Sequence, residues 1–437
     1  MTRREFIKGT LASVLAGVSQ FTATVADTIN YPPPNNLGAS RLSRPSIGDT
    51  LPKWTRGNFR ISVLYTGRSE STFLIFPDST SMLIDCGDCC EDVHKDCLGG
   101  PFKDSSLMAG ERTASWVLEE NPGGSKVDYF LLSHYHHDHV GGHSPHAKRS
   151  KRGNYSLCGF GCALEVLDFD TIIDRAWPDL DDPSPRHDRW VHTSFVRECY
   201  EEALRRGTKI ERFRLEKDSG QIALRHGGCK GFKATPLCAN GCILRRDGSL
   251  LDLATLSGGA KTRAAFGENE LSAGLVFSLG PFRYFTAGDF TGGLKAKNGT
   301  RIDFEEVLAA ECPKVDVAKA SHHGANSMPR ALAKALSPQV LLAAVCHRGH
   351  VNRRTLRNFS GRNCLVAPGF FPPARLGEDA KEPWFTNLAL EAAKCIHTVI
   401  DVSPDGRDFA LMTVAADGSR RILGTYDFTA SPKGDVP

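Results

Sequence analysis

The sequence predicts an α/β fold built as one large sandwich rather than as two unrelated domains. Strand patterns alternate with helix patterns, they fall into two successive αβ halves, and several apolar strands end on residues that ligate metals. The first half opens near Phe59, where Arg60-Ile61-Ser62-Val63-Leu64 alternates as a strand. Thr72-Phe73-Leu74-Ile75-Phe76 and Ser81-Met82-Leu83-Ile84-Asp85 follow, with turn chemistry at Pro77-Asp78-Ser79-Thr80 between them. A helix from Leu107 to Glu119 then leads to the apolar strand Tyr129-Phe130-Leu131-Leu132. In the second half, strands are expected at Ala234–Leu237, Ala273–Ser278 and Arg283–Ala287, then helix and strand alternate through Phe304–Ala310, Val315–Ala320, Pro329–Leu336 and Val340–Val345. His397–Ile400 and Phe409–Met412 read as closing strands around a Pro404-Asp405-Gly406 turn.

Three segments fall outside this pattern. Residues 1–26 open with Arg3-Arg4-Glu5-Phe6-Ile7-Lys8 and a weakly hydrophobic run from Gly9 to Val18, which resembles a twin-arginine export signal cleaved after Ala26, or after Ala23. That run is too short to remain as a spanning helix, so the expectation is a periplasmic or secreted protein with no lasting membrane anchor. Residues 27–57, rich in Pro, Gly and Ser, read as an extended linker before a domain at 58–437. The interval from about 143 to 225 is irregular and aspartate-rich, and is expected to be an insertion or lid over the site.

With 437 residues and a formal net charge of +4, bulk composition points neither towards nor away from nucleic acid. The 14 cysteines include no second Cys-x-x-Cys to match Cys86 and Cys89, which favours structural thiols or disulfides over a zinc ribbon.

The chemistry concentrates in Ser133-His134-Tyr135-His136-His137-Asp138-His139, directly after an apolar strand. On an extended backbone His134 and His136 point to one side, while Asp138 and His139 arrive as the chain turns and can face a second ion. Imidazole and carboxylate suit zinc, with manganese and iron as alternatives. A surface loop rich in histidine would not be expected to follow a buried strand with this ligand order. Three further strands end on ligand-type residues: Phe285–Asp289, Lys319-Ala320-Ser321-His322-His323-Gly324, and Val340–Ala344 followed by Cys346-His347-Arg348-Gly349-His350. Asp289 is a strand-end carboxylate able to bridge two cations.

In this order the motifs resemble the metallo-β-lactamase superfamily of hydrolases over about Phe59 to His350. Glu268-Asn269-Glu270-Leu271-Ser272, Gly288-Asp289 and His322-His323-Gly324 bring the chain nearest to the soluble ComEC-like branch. The resemblance implies a four-layer αββα sandwich with two divalent metal ions at one edge of its sheets. His134 and His136 would hold the first ion, Asp138 and His139 the second, and Asp289 would bridge. His322 or His323 would complete the second site, with His323 the closer match, and Asp85 would support the ligand loop. A third histidine for the first ion stays unassigned between His192, His226 and water.

The same resemblance implies a metal-activated hydroxide attacking a phosphoryl or carbonyl centre, with Asp138 orienting the nucleophile and His350 serving as oxyanion donor or leaving-group acid. A phosphodiester substrate, small-molecule or nucleic-acid, is expected first, because Lys148–Arg152, Arg348, Arg353 and Arg354 offer phosphate contacts. Hydrolysis of a lactam, lactone or other ester is the alternative, and a non-catalytic metal-binding protein the third.

Overall fold

The structure, a computed structural model, describes residues 46–67, 69–89, 107–144, 147–186, 188–227, 229–258, 266–345, 350–360, 364–367, 396–415 and 417–427. The expected signal, residues 1–26, and the start of the expected linker lie outside the described residues.

The chain is α/β with two large mixed sheets. The first begins with β1 (Phe59–Tyr65), β2 (Glu70–Ile75) and β3 (Ser81–Ile84), an antiparallel meander. It continues in parallel through β4 (Lys126–Leu132), β5 (Asp168–Asp174) and β6 (Lys209–Arg212). The second sheet repeats that plan. Its antiparallel part comprises β7 (Phe232–Ala239), β8 (Cys242–Leu244), β9 (Leu250–Asp252), β10 (Gly274–Leu279) and β11 (Phe282–Thr286). A small ribbon, β12 (Gly293–Lys295) and β13 (Arg301–Asp303), precedes the parallel strands β14 (Val317–Lys319), β15 (Val340–Leu342) and β16 (Leu365–Ala367). The last strands, β17 (His397–Val402), β18 (Asp408–Val414) and β19 (Arg420–Asp427), return to the first sheet, where β17 pairs with β1.

One buried cluster takes side chains from both sheets. Phe59, Phe76, Phe277 and Phe282 meet there at ring-centroid distances of 5.8–6.3 Å, and burying each ring contributes about 1.5–3 kcal/mol. A second cluster joins the first sheet to α1 (Ala109–Glu120), α3 (Phe160–Leu164) and α4 (Thr193–Arg205), with Phe130 stacked on Phe160 at 4.2 Å. Between α1 and α3 in sequence lies α2 (His137–Val140). A third cluster joins the second sheet to α5 (Phe304–Ala309), α6 (Arg330–Leu336) and α7 (Arg353–Ser360).

Arg60 in β1 is buried, and its guanidinium donates to Asp401 at 2.8 Å and to Glu120 at 3.4 Å. Two expectations change. The interval 143–225 is only partly an insertion: β5 and β6 are strands of the first sheet and α4 covers it. The end of the expected linker is packed, with Leu51 buried and Ile422 exchanging backbone hydrogen bonds with Gly48 and Asp49.

His397 gives this frame a pH dependence. Burial pushes its imidazole down to about 3, and its Nδ1 accepts from the Tyr65 amide at 3.2 Å. An unfolded imidazole titrates at about 6.5, so the unfolded chain takes up the proton first. Stability is therefore lost as pH falls from about 6.5 towards 3, at roughly 1.4 kcal/mol per pH unit. His397→Phe keeps a ring against Trp116, 4.7 Å away. Urea unfolding at pH 7 and pH 4.5 should then differ by roughly 2 kcal/mol less in the variant than in the wild type.

Candidate metal centre

Parallel strands bring their carboxyl ends to one edge, and ligand-type residues sit at those ends in both sheets. β4 stops at Leu132, and the extended segment His134–His136 directs the two imidazoles to one side and Tyr135 to the other. Tyr135 is buried, its hydroxyl donating to Asp174 at 2.6 Å and its amide to Glu268 at 2.8 Å. The single turn α2 then delivers Asp138 and His139. Asp85, one residue beyond β3, takes the left-handed conformation (φ 58°), which aspartate tolerates better than most residues. Its carboxylate accepts from the Ser133 amide at 2.8 Å, from the Ser133 hydroxyl at 2.7 Å and from His139 Nδ1 at 2.8 Å. Asp85 thus ties down the segment from Ser133 to His139 and leaves His139 Nε2 facing inwards.

Asp289 arrives from the second sheet after Gly288, where a Cβ would lie 2.7 Å from the Ser133 hydroxyl, so only glycine fits. Asp289 Oδ1 lies 3.1 Å from His139 Nε2, and Oδ2 lies 3.6 Å from His323 Nε2 and 3.9 Å from His134 Nε2. One carboxylate therefore faces two ligand sets. His134, His136 and Asp289 form one, and Glu70, His139, Asp289 and His323 the other; within each set one donor atom per residue lies within 4.8 Å of all the rest. Asp138 touches the second set through His323 Nε2 at 3.0 Å.

Of the two adjacent histidines, His323 is the one whose ring enters the cluster. Both adopt left-handed backbone, with φ 47° at His322 and 53° at His323. His323 Nδ1 lies 2.9 Å from the Ala344 carbonyl and 3.2 Å from Glu70, which leaves Nε2 towards Asp138 and Asp289. His322 belongs to neither set, and its Nδ1 is buried without a hydrogen-bond partner. His350 stacks on His323 at 4.6 Å with an interplanar angle of 11°, so it stands beside the cluster, while Cys346–Gly349 and with them Arg348 lie outside the described residues.

Neither candidate for a third histidine reaches the first set. His192 caps α4 and stacks on His137 at 5.9 Å, whereas His226 bonds Asp128 at 2.8 Å near the opposite end of β4. His187 lies outside the described residues. The basic run is a surface loop with Arg149 paired to Glu198 at 3.6 Å and Arg152 to Glu165 at 4.0 Å. Cys158 is disulfide-bonded, while Cys86, Cys89, Cys162 and Cys199 are buried free thiols.

Sequence reasoning passed over three partners. Glu70 opens a strand that otherwise looks ordinary, yet it is buried between Lys319 Nζ at 2.5 Å and His323. Asp188, in the irregular interval, lies 3.1 Å from His136 Nε2. Arg175 and Glu268 form a wholly buried pair at 2.8 Å, and the guanidinium lies 4.1 Å over the Tyr135 ring. A lysine two residues before Ser321 was the one visible hint of a buried acid nearby.

The electrostatics favour added positive charge. Burial, with the charges of His139 and His136, holds the His134 imidazole well below its usual range, in the neutral ligand form. Burial opposes charge on His139 and His323 too, but Asp289, with Asp85 for the former and Asp138 and Glu70 for the latter, outweighs it and raises both. Asp138 and Asp289 are driven well below the carboxylate range despite burial, chiefly by His139 and His323. Four carboxylates converge, and protons on two imidazoles balance part of their charge. His139 Nε2, Asp289 Oδ1 and Glu70 Oε2 are also buried without a well-formed hydrogen bond. Orphaned donor atoms around concentrated negative charge fit divalent cations better than they fit a closed polar core.

No family model matches the chain, and no curated protein matches it. Among the described residues no helix is long and apolar enough to cross a membrane.

The Arg175–Glu268 pair gives a direct stability test. Glu268→Ala strands a buried guanidinium and removes the acceptor of the Tyr135 amide, so urea unfolding of the metal-free protein should show a loss of about 3–5 kcal/mol.

Proposed function

We propose that this chain is a metal-dependent hydrolase of the metallo-β-lactamase superfamily, nearest its soluble ComEC-like branch, and that it cleaves phosphodiesters. The observation that carries the proposal is the position of Asp289, whose two oxygens face separate groups of buried imidazoles. The arrangement of the cores, helices against the outer face of each sheet and a shared cluster between them, supports the αββα sandwich of that superfamily. His134, His136 and Asp289 would hold one cation. His139, Asp289 and His323, with Asp138 beside them, would hold the other. Zinc suits these donors, with manganese and iron as alternatives. A cation pair supplies Lewis acidity and makes water acidic enough to act as a nucleophile at neutral pH.

The remaining work falls to side chains of this chain. Asp138 is the more exposed of the carboxylates at the cluster, with 18 % of its side chain accessible, which suits it to orient a water and take its proton. His350, stacked on His323, is suited to hold a proton for the departing alkoxide. His322, held neutral chiefly by burial, offers an imidazole beside the same centre. These donors favour an anionic phosphoryl group over a lactam, which asks for an apolar wall. The twin-arginine segment supports export, and N-terminal sequencing of the mature protein from a bacterial periplasm should begin near residue 27.

Purified, metal-analysed protein should turn over bis-p-nitrophenyl phosphate or plasmid DNA. Turnover of a chromogenic cephalosporin alone would sink the phosphodiesterase proposal, and no turnover by fully metallated protein would leave a metal-binding protein without catalysis. Asp289→Ala should lower the metal content per chain and cut activity by more than the roughly 10–100-fold expected from losing an outer partner.

A further inference from the structure

We infer that Asp188 is a positioning residue for the first cation, and that the segment 188–192 makes occupancy of that one site depend on the insertion. The inference rests on the metal-centre proposal above and extends it to a residue outside both ligand sets.

The segment is hooked to the ligand loop at several points. His136 and Val191 form an antiparallel bridge, the His137 amide donates to the Trp190 carbonyl at 3.2 Å, and the His192 amide donates to the Tyr135 carbonyl at 3.1 Å. The His137 ring lies between the rings of Trp190, at 4.8 Å, and His192, at 5.9 Å. α4 follows at once and buries Phe195, Val196, Cys199 and Tyr200 against the first sheet, so the hook has a rigid base.

Within this frame the Asp188 carboxylate is fixed at both oxygens. Oδ1 accepts from the Trp190 amide at 2.9 Å, and Oδ2 lies 3.1 Å from His136 Nε2. A neutral imidazole that donates from Nε2 keeps its lone pair on Nδ1, and Nδ1 is the atom turned to His134 Nε2, 3.2 Å away. Asp188 thus selects both the tautomer and the ring orientation in which His136 ligates. His134 takes its orientation from Ser133, at 3.0 Å, and in the second set Asp85 orients His139 while the Ala344 carbonyl and Glu70, itself in the set, orient His323. Among the described residues the first set has only two imidazoles and a shared carboxylate. Losing the orientation of one imidazole therefore removes a larger part of its donor set than in the second site.

The test is a Zn²⁺ titration of the full chelator-stripped chain, read by calorimetry and by metal content after dialysis. Asp188→Ala should weaken one of two sites roughly 10–100-fold and leave the other within about twofold. Asp188→Asn, whose amide oxygen accepts the same bond, should recover part of the loss. Arg197→Ala breaks the surface pair between α4 and Asp181 and should leave both sites unchanged. Adding Zn²⁺ should raise the melting temperature of the Asp188→Ala chain by less than it raises that of the wild type. Two wild-type affinities in Asp188→Ala, or equal weakening of both sites, would overturn the inference. If Asp188→Ala does not fold, an Asp188→Ser chain, whose shorter side chain can hold the Trp190 amide but not reach His136, overturns it as well if both its affinities match the wild type. A wild-type chain that binds no Zn²⁺ would instead defeat the metal-centre proposal, and this inference with it.

Discussion

Everything at the centre of this molecule follows from the cost of burying carboxylates. Glu70, Asp85 and Asp289 come together buried at the meeting edge of two sheets, with the partly exposed Asp138 beside them. A buried ionised acid without a partner is strongly unfavourable, so each must face a proton donor, a cation or both. Lys319 answers Glu70, the Ser133 amide and hydroxyl answer Asp85, and imidazoles answer the rest. The network spans both sheets, so the architecture and the chemistry meet at the same residues.

The division between what was legible in the sequence and what was not has a physical origin. His134, His136, Asp138 and His139 stood out because neighbouring residues on a strand and turn converge without help from the rest of the fold. Asp289 and His323 were legible because apolar runs mark the strands that carry them to the same edge. Glu70, Asp188 and the Arg175–Glu268 pair gave no such signal, since their partners lie at least 52 residues away in sequence. Which of His322 and His323 turns its ring inwards depends on a pair of left-handed backbone angles that composition does not encode, so only the resemblance favoured His323. Strands β5 and β6 were hidden within an irregular interval because β5 alternates charged and apolar residues at its start and β6 is four residues long and mostly charged.

The two halves of the sheet system are organised alike, an antiparallel stretch running into a parallel one, yet they contribute differently. The first half supplies the contiguous segment from His134 to His139 and its brace, Asp85. The second supplies single residues at strand ends, each isolated in sequence. Asp289 is the point where the halves depend on each other, since the first sheet's imidazoles lack a carboxylate of their own in either ligand set apart from Glu70.

The return of the last strands to the first sheet has a consequence for how the molecule is made. β1 lies in the middle of a nine-stranded sheet, but its neighbour β17 is more than 330 residues later, as Leu64 facing His397 illustrates. During vectorial synthesis β1 therefore waits with one edge unpaired until almost the whole chain has left the ribosome. Such long-range closure is slow, and the waiting edge is a template for wrong partners. A nascent chain of this design needs shielding until its final hairpin arrives, and a copy cut short before β17 would be aggregation-prone rather than merely inactive.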